Sequence, residues 1–332
     1  MKKISNGIIS FFKTGFFPRF IGVRMTANSI VVTLLVCSAF FLASCGGQEN
    51  KNLKNEYPAL NSGTISVCCD EAVYDLLDRP FQMYDSVYTD VKLTVVKTTA
   101  RQAMANLLSG STPVIFLARD YLRDEDSLMK LYKIQPYERM KFAEDALVFY
   151  TKKDFPLDTV TDAQLKELFL KKVPLKKFYP QLKEEPEFAI NNVASSEYAN
   201  FKSLVLKDEL PKIRLRMYAG NDSVMKYILQ NNYTIGIGYL SQVIKDTNIK
   251  CLKVGFNDST GKRVFPHLAH QANIVRRYYP YIVNEYVYVL ENRRNLPWWL
   301  ATFIAKEGIV QRYFKDVGIV PAYAVIQLVE EE

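Results

Sequence analysis

The chain has 332 residues, 48% of them hydrophobic, with 21 Tyr and 20 Phe, so a sizeable core is available to it. Its 43 Lys+Arg against 35 Asp+Glu give a formal net charge of +8, but Lys2, Lys3, Lys13, Arg19 and Arg24 lie in a leader without an acid, and beyond it the balance is nearly even. That excludes the basic footprint of a nucleic-acid binder, and five cysteines are too few for a disulfide framework.

In chain order, an apolar run over residues 30–43 follows the basic leader, broken only by Thr33 and Ser38. It suits the apolar region of a secretion signal and is shorter than the roughly 20 residues of a membrane span. Leu42-Ala43-Ser44-Cys45, with Gly46-Gly47 behind it, resembles the lipobox of bacterial lipoprotein signals. That resemblance implies cleavage after residue 44, acyl chains on Cys45 and a place outside the cytoplasm. Each buried methylene contributes roughly 0.8 kcal/mol, so two or more chains anchor stably. A short membrane anchor followed by an ordinary cysteine is the alternative. Met25 is an alternative start that leaves the same cleavage site.

Residues 45–62 have the polar composition of a flexible tether. Beyond it, residues 64–68, 91–97 and 113–118 read as strands, and 71–84 and 100–108 as helices. Strands alternating with helices at this spacing predict an α/β chain with a mostly parallel sheet. Residues 145–152 read as a further strand, and Thr161-Asp162 as the start of a helix over 163–170. Then come a strand at 188–191, helices at 195–205 and 222–230, and an apolar strand at 234–240. A strand over 285–290 and one final helix over 298–314 complete the pattern.

The remaining candidates for chemistry are sparse. Cys68, Cys69 and Cys251 read as buried small hydrophobes, with a pairing to Cys251 left open. His267 and His270 are the only histidines and lack a third ligand, so neither metal nor cofactor is expected. Gly236-Ile237-Gly238 reads as buried strand, Trp298-Trp299 as core, and the Lys171-Lys172 and Lys176-Lys177 doublets as a solvated face. No nucleophile–base pair stands out, so enzymatic activity is not expected.

Several segments, in this order, resemble the phosphate-binding lipoproteins of ABC uptake systems, the PstS-like proteins. They are Asp145-Ala146-Leu147-Val148, Leu165-Lys166-Glu167-Leu168-Phe169, Thr234 to Tyr239, Tyr279-Pro280-Tyr281 with Tyr286-Val287-Tyr288, and Phe303 to Val310 with Val317 to Pro321. The resemblance implies a periplasmic binding protein of type II, with two lobes, a central cleft and a two-strand hinge. Lobe one would comprise residues 63–145 and 251–332, and lobe two residues 146–250. The crossovers would fall near Val148-Phe149 and Lys250-Cys251.

In such proteins an anion sits between the lobes at loop-to-helix junctions, where free N–H groups and helix dipoles favour negative charge. The corresponding loops here bring forward Asp70 and Glu71, Thr98 and Thr99, Arg119 and Asp120, and Ser195, Ser196 and Glu197. The hydroxyls of Thr98, Thr99, Ser195 and Ser196 with the Arg119 guanidinium would supply donors. Asp70, Glu71 and Glu197 oppose an anion, though one carboxylate can accept a proton from hydrogen phosphate. Thr98, Ser195 and Asp70 read equally as plain helix N-caps.

The implied function is capture of phosphate or a similar oxyanion for an ABC permease by a lipoprotein of the cell envelope. The alternative is an adhesive or assembly lipoprotein that keeps the fold without transport.

Overall fold

The computed structural model describes residues 60–326; the signal, Cys45 and most of the tether expected from the sequence lie outside them. From Gly63 the chain alternates β1 (Gly63–Asp70), α1 (Glu71–Val87), β2 (Val91–Thr98), α2 (Ala100–Leu108), β3 (Val114–Leu117) and α3 (Arg123–Leu131). The middle segment holds β4 (Glu138–Lys152), β5 (Thr159–Thr161), α4 (Asp162–Lys171), β6 (Glu187–Asn191), α5 (Ser196–Asn200), β7 (Leu215–Tyr218), α6 (Asn221–Gln230), β8 (Thr234–Tyr239), α7 (Leu240–Val243) and β9 (Ile249–Cys251). The rest comprises β10 (Lys253–Asn257), β11 (Arg263–His267), α8 (Gln271–Val275), β12 (Ile282–Val289), α9 (Leu296–Lys306), α10 (Gly308–Asp316) and β13 (Val320–Pro321).

Local chemistry explains the elements that position the cleft. Asp70 caps α1, accepting the Ala72 N–H at 3.2 Å, and apolar residues at helical spacing (Val73, Leu77, Phe81, Tyr84) face the core. Each such side chain contributes about 1.5–3 kcal/mol on full burial. α4 opens with a reciprocal capping box, Gln164 N–H to Thr161 Oγ1 at 3.2 Å and Thr161 N–H to Gln164 Oε1 at 2.9 Å. It closes at Lys172, whose φ of 60° is left-handed.

The long strand β4 organises the sheet. Its first part pairs antiparallel with β12 as far as Ala146, and from Leu147 it pairs antiparallel with β8. On one side the order runs β2-β1-β3-β12-β4, with β1 parallel to β2 and β3; on the other it runs β4-β8-β6-β7, with β6 parallel to β7 and β8. The sheet is therefore mixed: β12 is antiparallel to β3 and β4, and β4 is antiparallel to β8, β9 and β13 as well. After Lys250-Cys251, at the end of β9, the chain goes on to β10, which pairs in parallel with β5. The chain rejoins the first half of the sheet at β12.

Two further differences from the sequence reading have local causes. The expected helix over 195–205 is α5 followed by a π turn (Phe201–Val205), which takes an extra residue per turn just after Asn200. The single final helix is two, because Glu307 is extended (φ −64°, ψ 132°) and ends α9 while capping α10. Cys68 and Cys69 are buried in β1, and neither they nor Cys251 is in a disulfide. Trp299 meets the Tyr88 ring edge-on at 6.3 Å, and His270 caps α8. Among the described residues no helix is long and apolar enough to cross a membrane, and no group of three or more His, Cys, Asp or Glu could hold a metal.

Candidate functional site

The parallel strands of the two halves run towards each other and end where the halves meet, each followed by a turn into a helix. There β1 delivers Asp70 and Glu71, β3 delivers Ala118 and Arg119, β6 delivers Asn191 to Glu197, and β8 delivers Tyr239 and Gln242. Carboxyl ends of parallel strands are where open α/β sheets place their ligands. Here the two sets touch. Ser196 donates its hydroxyl to Asp70 Oδ2, Asn191 donates to Glu71 at 2.8 Å, and Asn200 donates to the Ala118 carbonyl at 2.6 Å. Gln242 Nε2 reaches both the Ala72 carbonyl, at 3.2 Å, and Glu197 Oε1, at 2.8 Å.

Asp70, Ser195, Ser196 and Glu197 are brought together and are almost wholly buried. Ser195 caps α5, accepting the Tyr198 N–H at 3.1 Å, and Thr99 caps α2, accepting the Gln102 N–H at 3.3 Å. Their oxygens thus serve their own helices, and the cap of α2 is Thr99 where the capping alternative named Thr98. Thr98 and Thr99 are half-buried at the end of β2.

Arg119 and Asp120 are placed differently from the expectation. Arg119 is 3% exposed, and its guanidinium grips Glu125 with two parallel bonds, Nη1 to Oε2 at 2.8 Å and Nη2 to Oε1 at 2.7 Å. The fork expected to hold an oxyanion is closed on a carboxylate of the protein itself. Only Arg119 Nε is left without an acceptor. Asp120 is exposed, forms an ion pair with Arg139 and accepts the Tyr121 N–H at 2.7 Å.

The electrostatics are acidic. Six described acids are buried (Asp70, Glu125, Glu144, Asp145, Glu197 and Glu285) against one buried base, Arg119. Glu125 has Arg119, and Glu144 has Lys141 and Arg277. Desolvation, with Glu197 close by, holds the Asp70 carboxyl well above the usual carboxylate range, against the opposing pull of Ser196, the Ala72 N–H and Arg119. Desolvation likewise raises Glu197, whose Oε2 lacks a partner, and Glu285, neither of whose oxygens has one. Asp145 is pushed up to about 6 by burial despite bonds from Ser241 and Ala146.

Beside this cluster lies a pocket of about 310 Å³ whose lining includes Glu71, Lys97, Gly220, Asn221, Gln242 and Lys245. Of the residues singled out in the sequence, only Glu71 lines it. Asn191, Asn200, Gln242 and Glu125 were missed by sequence reasoning. The one signal available was for Glu125, an acid three residues into a helix preceded by apolar Leu122, where its carboxylate accepts the Leu122 N–H at 2.9 Å.

Comparison with known proteins bears on this geometry. A sequence-family model described as a PBP superfamily domain matches residues 55–305. The chain is similar to a Clostridium perfringens protein described as a phosphate ABC transporter substrate-binding protein, solved with bound phosphate. Their TM-score is 0.66 at 17% identity, covering 78% of this chain and 100% of that one. It is similar to an ABC-type phosphate transport receptor from Vibrio cholerae (TM-score 0.59, 14% identity, 78% of this chain and 100% of that one). It is also similar to PstS from Borrelia burgdorferi (TM-score 0.50, 17% identity, 78% and 99%). No curated protein matches it significantly. At these identities the likeness is one of fold: a mixed α/β chain in two sheet halves joined by long strands.

Proposed function

Since the chain belongs to the PBP superfamily, we propose that it is an extracytoplasmic solute-binding lipoprotein that captures phosphate or a similar oxyanion for an ABC permease. One observation carries this reading: donors from loop-to-helix junctions of both sheet halves converge on a single anionic position, that of the Asp70 carboxylate. Convergent N–H and O–H groups at helix starts are what a desolvated oxyanion requires. The names of the solved relatives, which are substrate-binding proteins, support the same class. The two lobes would close over the solute by bending where β4 changes partner and where the chain returns to β12, with no covalent chemistry. Acyl chains on Cys45 would hold the protein at the membrane.

Calorimetric titration of the detergent-solubilised full chain with phosphate and with sulfate tests this. Saturable binding of either anion at or below millimolar concentration is expected. No binding of either at that level sinks the oxyanion reading.

A second reading is favoured by a specific observation: the Arg119 fork is taken by Glu125, and Asp70 itself holds the converging donors. On that reading the chain is an adhesive or assembly lipoprotein that keeps the binding-protein fold. Adjacent permease and ATPase genes would count against it.

A further inference from the structure

The place where the two halves meet already has an occupant. Asp70 Oδ1 accepts the Ala72 N–H at 3.2 Å, and Oδ2 accepts the Ser196 hydroxyl and faces the Ala118 N–H at 3.5 Å. The three donors come from the first turn of α1, the end of β3 and the start of α5, so they belong to separate loops and to both halves. Capping α1 requires only the first of them. Asp70 and Ser196 are both 0% exposed. A carboxylate that gathers donors across the cleft does there what the oxygens of a bound anion would do.

A second observation is independent of the helix start. Arg119 Nε, on a side chain 3% exposed, has no acceptor, and the Arg119 charge acts on Asp70. With the fork closed on Glu125, this N–H is the one guanidinium donor that no protein acceptor satisfies.

We infer that Asp70 is a built-in occupant of the anion cradle, that an incoming oxyanion enters by displacing its carboxylate, and that Asp70 therefore sets which anions the cleft accepts. The inference rests on the reading that the cleft is an oxyanion site. The titratable groups coupled to Asp70 are Cys69 of β1, Arg119 after β3, Glu197 of α5, Tyr239 of β8 and Glu285 of β12, with Glu71 acting on Glu197 and Asp145 of β4 acting on Glu285. Arg119 is the only cation among them, and it is committed to Glu125. A charged Asp70 thus repels an entering anion, whereas a protonated one donates to it. Burial beside Glu197 lets Asp70 keep its proton at higher pH than an ordinary aspartate. Oxyanion binding is therefore tied to proton uptake.

Sulfate is the suitable probe, because it remains a dianion where phosphate titrates. Its affinity would be measured by calorimetry on the solubilised full-length wild type and on Asp70→Ser and Asp70→Asn, with melting curves to show that each variant folds. Serine keeps an N-cap for Ala72 while vacating the cradle; asparagine removes the charge and keeps the bulk. At about pH 8.5 Asp70→Ser is expected to bind sulfate about 10-fold or more tighter than wild type, and at about pH 5.5 the gap narrows. If Asp70→Ser does not fold, the test moves to Asp70→Asn, which should lose less affinity than wild type between those pH values.

Equal affinities at both pH values, or weaker binding by Asp70→Ser, overturn the inference and leave the receptor reading standing. Binding by Asp70→Ser alone overturns entry by displacement and hands the native chain to the second reading. If no protein binds at either pH, both fall.

Discussion

Arg119 and Glu125 hold each other by two parallel hydrogen bonds, of 2.8 and 2.7 Å, with both side chains almost completely buried. The same Glu125 accepts the Leu122 N–H at 2.9 Å and so begins α3, while Arg119 also donates to the Asp120 carbonyl at 2.8 Å. One ion pair thus fixes the turn that leads from β3 into α3. This turn also carries Ala118, whose carbonyl accepts from Asn200 across the cleft.

Removing either partner should therefore damage the fold before it touches a ligand. A buried pair broken on one side leaves an uncompensated charge, and Glu125→Ala or Arg119→Ala is expected to cost about 3–5 kcal/mol in urea unfolding. Arg119→Met with Glu125→Leu, which removes both charges, should lose much less than the sum of the singles. Singles within about 1 kcal/mol of wild type would contradict the buried pairing.

The lipid anchor is tested apart from the fold. Cys45→Ala removes the thiol that would carry the acyl chains, so metabolic labelling with a radioactive fatty acid should disappear. The protein should then leave the membrane fraction or stay unprocessed. Labelling of the variant equal to wild type would refute the lipoprotein assignment.

Gly236 has a steric reason to be glycine. It lies opposite Tyr150 in the β4–β8 pairing, and a Cβ there would overlap the tyrosine ring, coming to 2.8 Å from Cε1. Both residues are buried, so the ring has nowhere to retreat. Gly236→Ala is expected to destabilise by about 1–3 kcal/mol, the usual range for overpacking. Tyr150→Leu in the same chain should recover part of that loss. The Tyr150 hydroxyl is buried without a partner, so Tyr150→Phe should be neutral or stabilising. A Gly236→Ala variant that melts with wild type would mean that the ring is free to move.

What the sequence disclosed follows the range of each interaction. The caps at Asp70 and Thr161 were legible because the oxygen and the N–H it serves are neighbours in the chain. The first half of β4 was not: Arg139, Lys141 and Glu144 interrupt its apolar pattern, and it is a strand because β12 pairs with it. The acid-rich run that becomes α3 reads as loop until Glu125 is seen to cap it. The Asp70–Ser196 contact joins residues 126 apart, and no local pattern announces it. The loops were found by resemblance, and the direction in which Arg119 points was decided by a glutamate that the resemblance did not include.

Glu285 offers the clearest pH test. It is fully buried in β12, neither carboxylate oxygen has a hydrogen-bond partner, and desolvation, then Asp145 and Asp70, raise its pKa well above the ordinary 4.5. Between that value and its folded-state pKa the native chain keeps a proton that the unfolded chain has shed, so stability falls as pH rises. Asp145, raised by burial from 3.8 to about 6, acts in the same direction between those two values. Glu285→Gln removes the proton requirement and keeps the shape. It should be more stable than wild type near pH 7.5 by at least about 1.4 kcal/mol, the worth of one pKa unit. The advantage should shrink towards zero near about pH 3.5, well below the ordinary 4.5, where a glutamate carries its proton for the most part in both states. Urea unfolding of both proteins at the two pH values decides it: no gain at the higher pH, or an equal gain at the lower one, would show that Glu285 does not carry this charge burden.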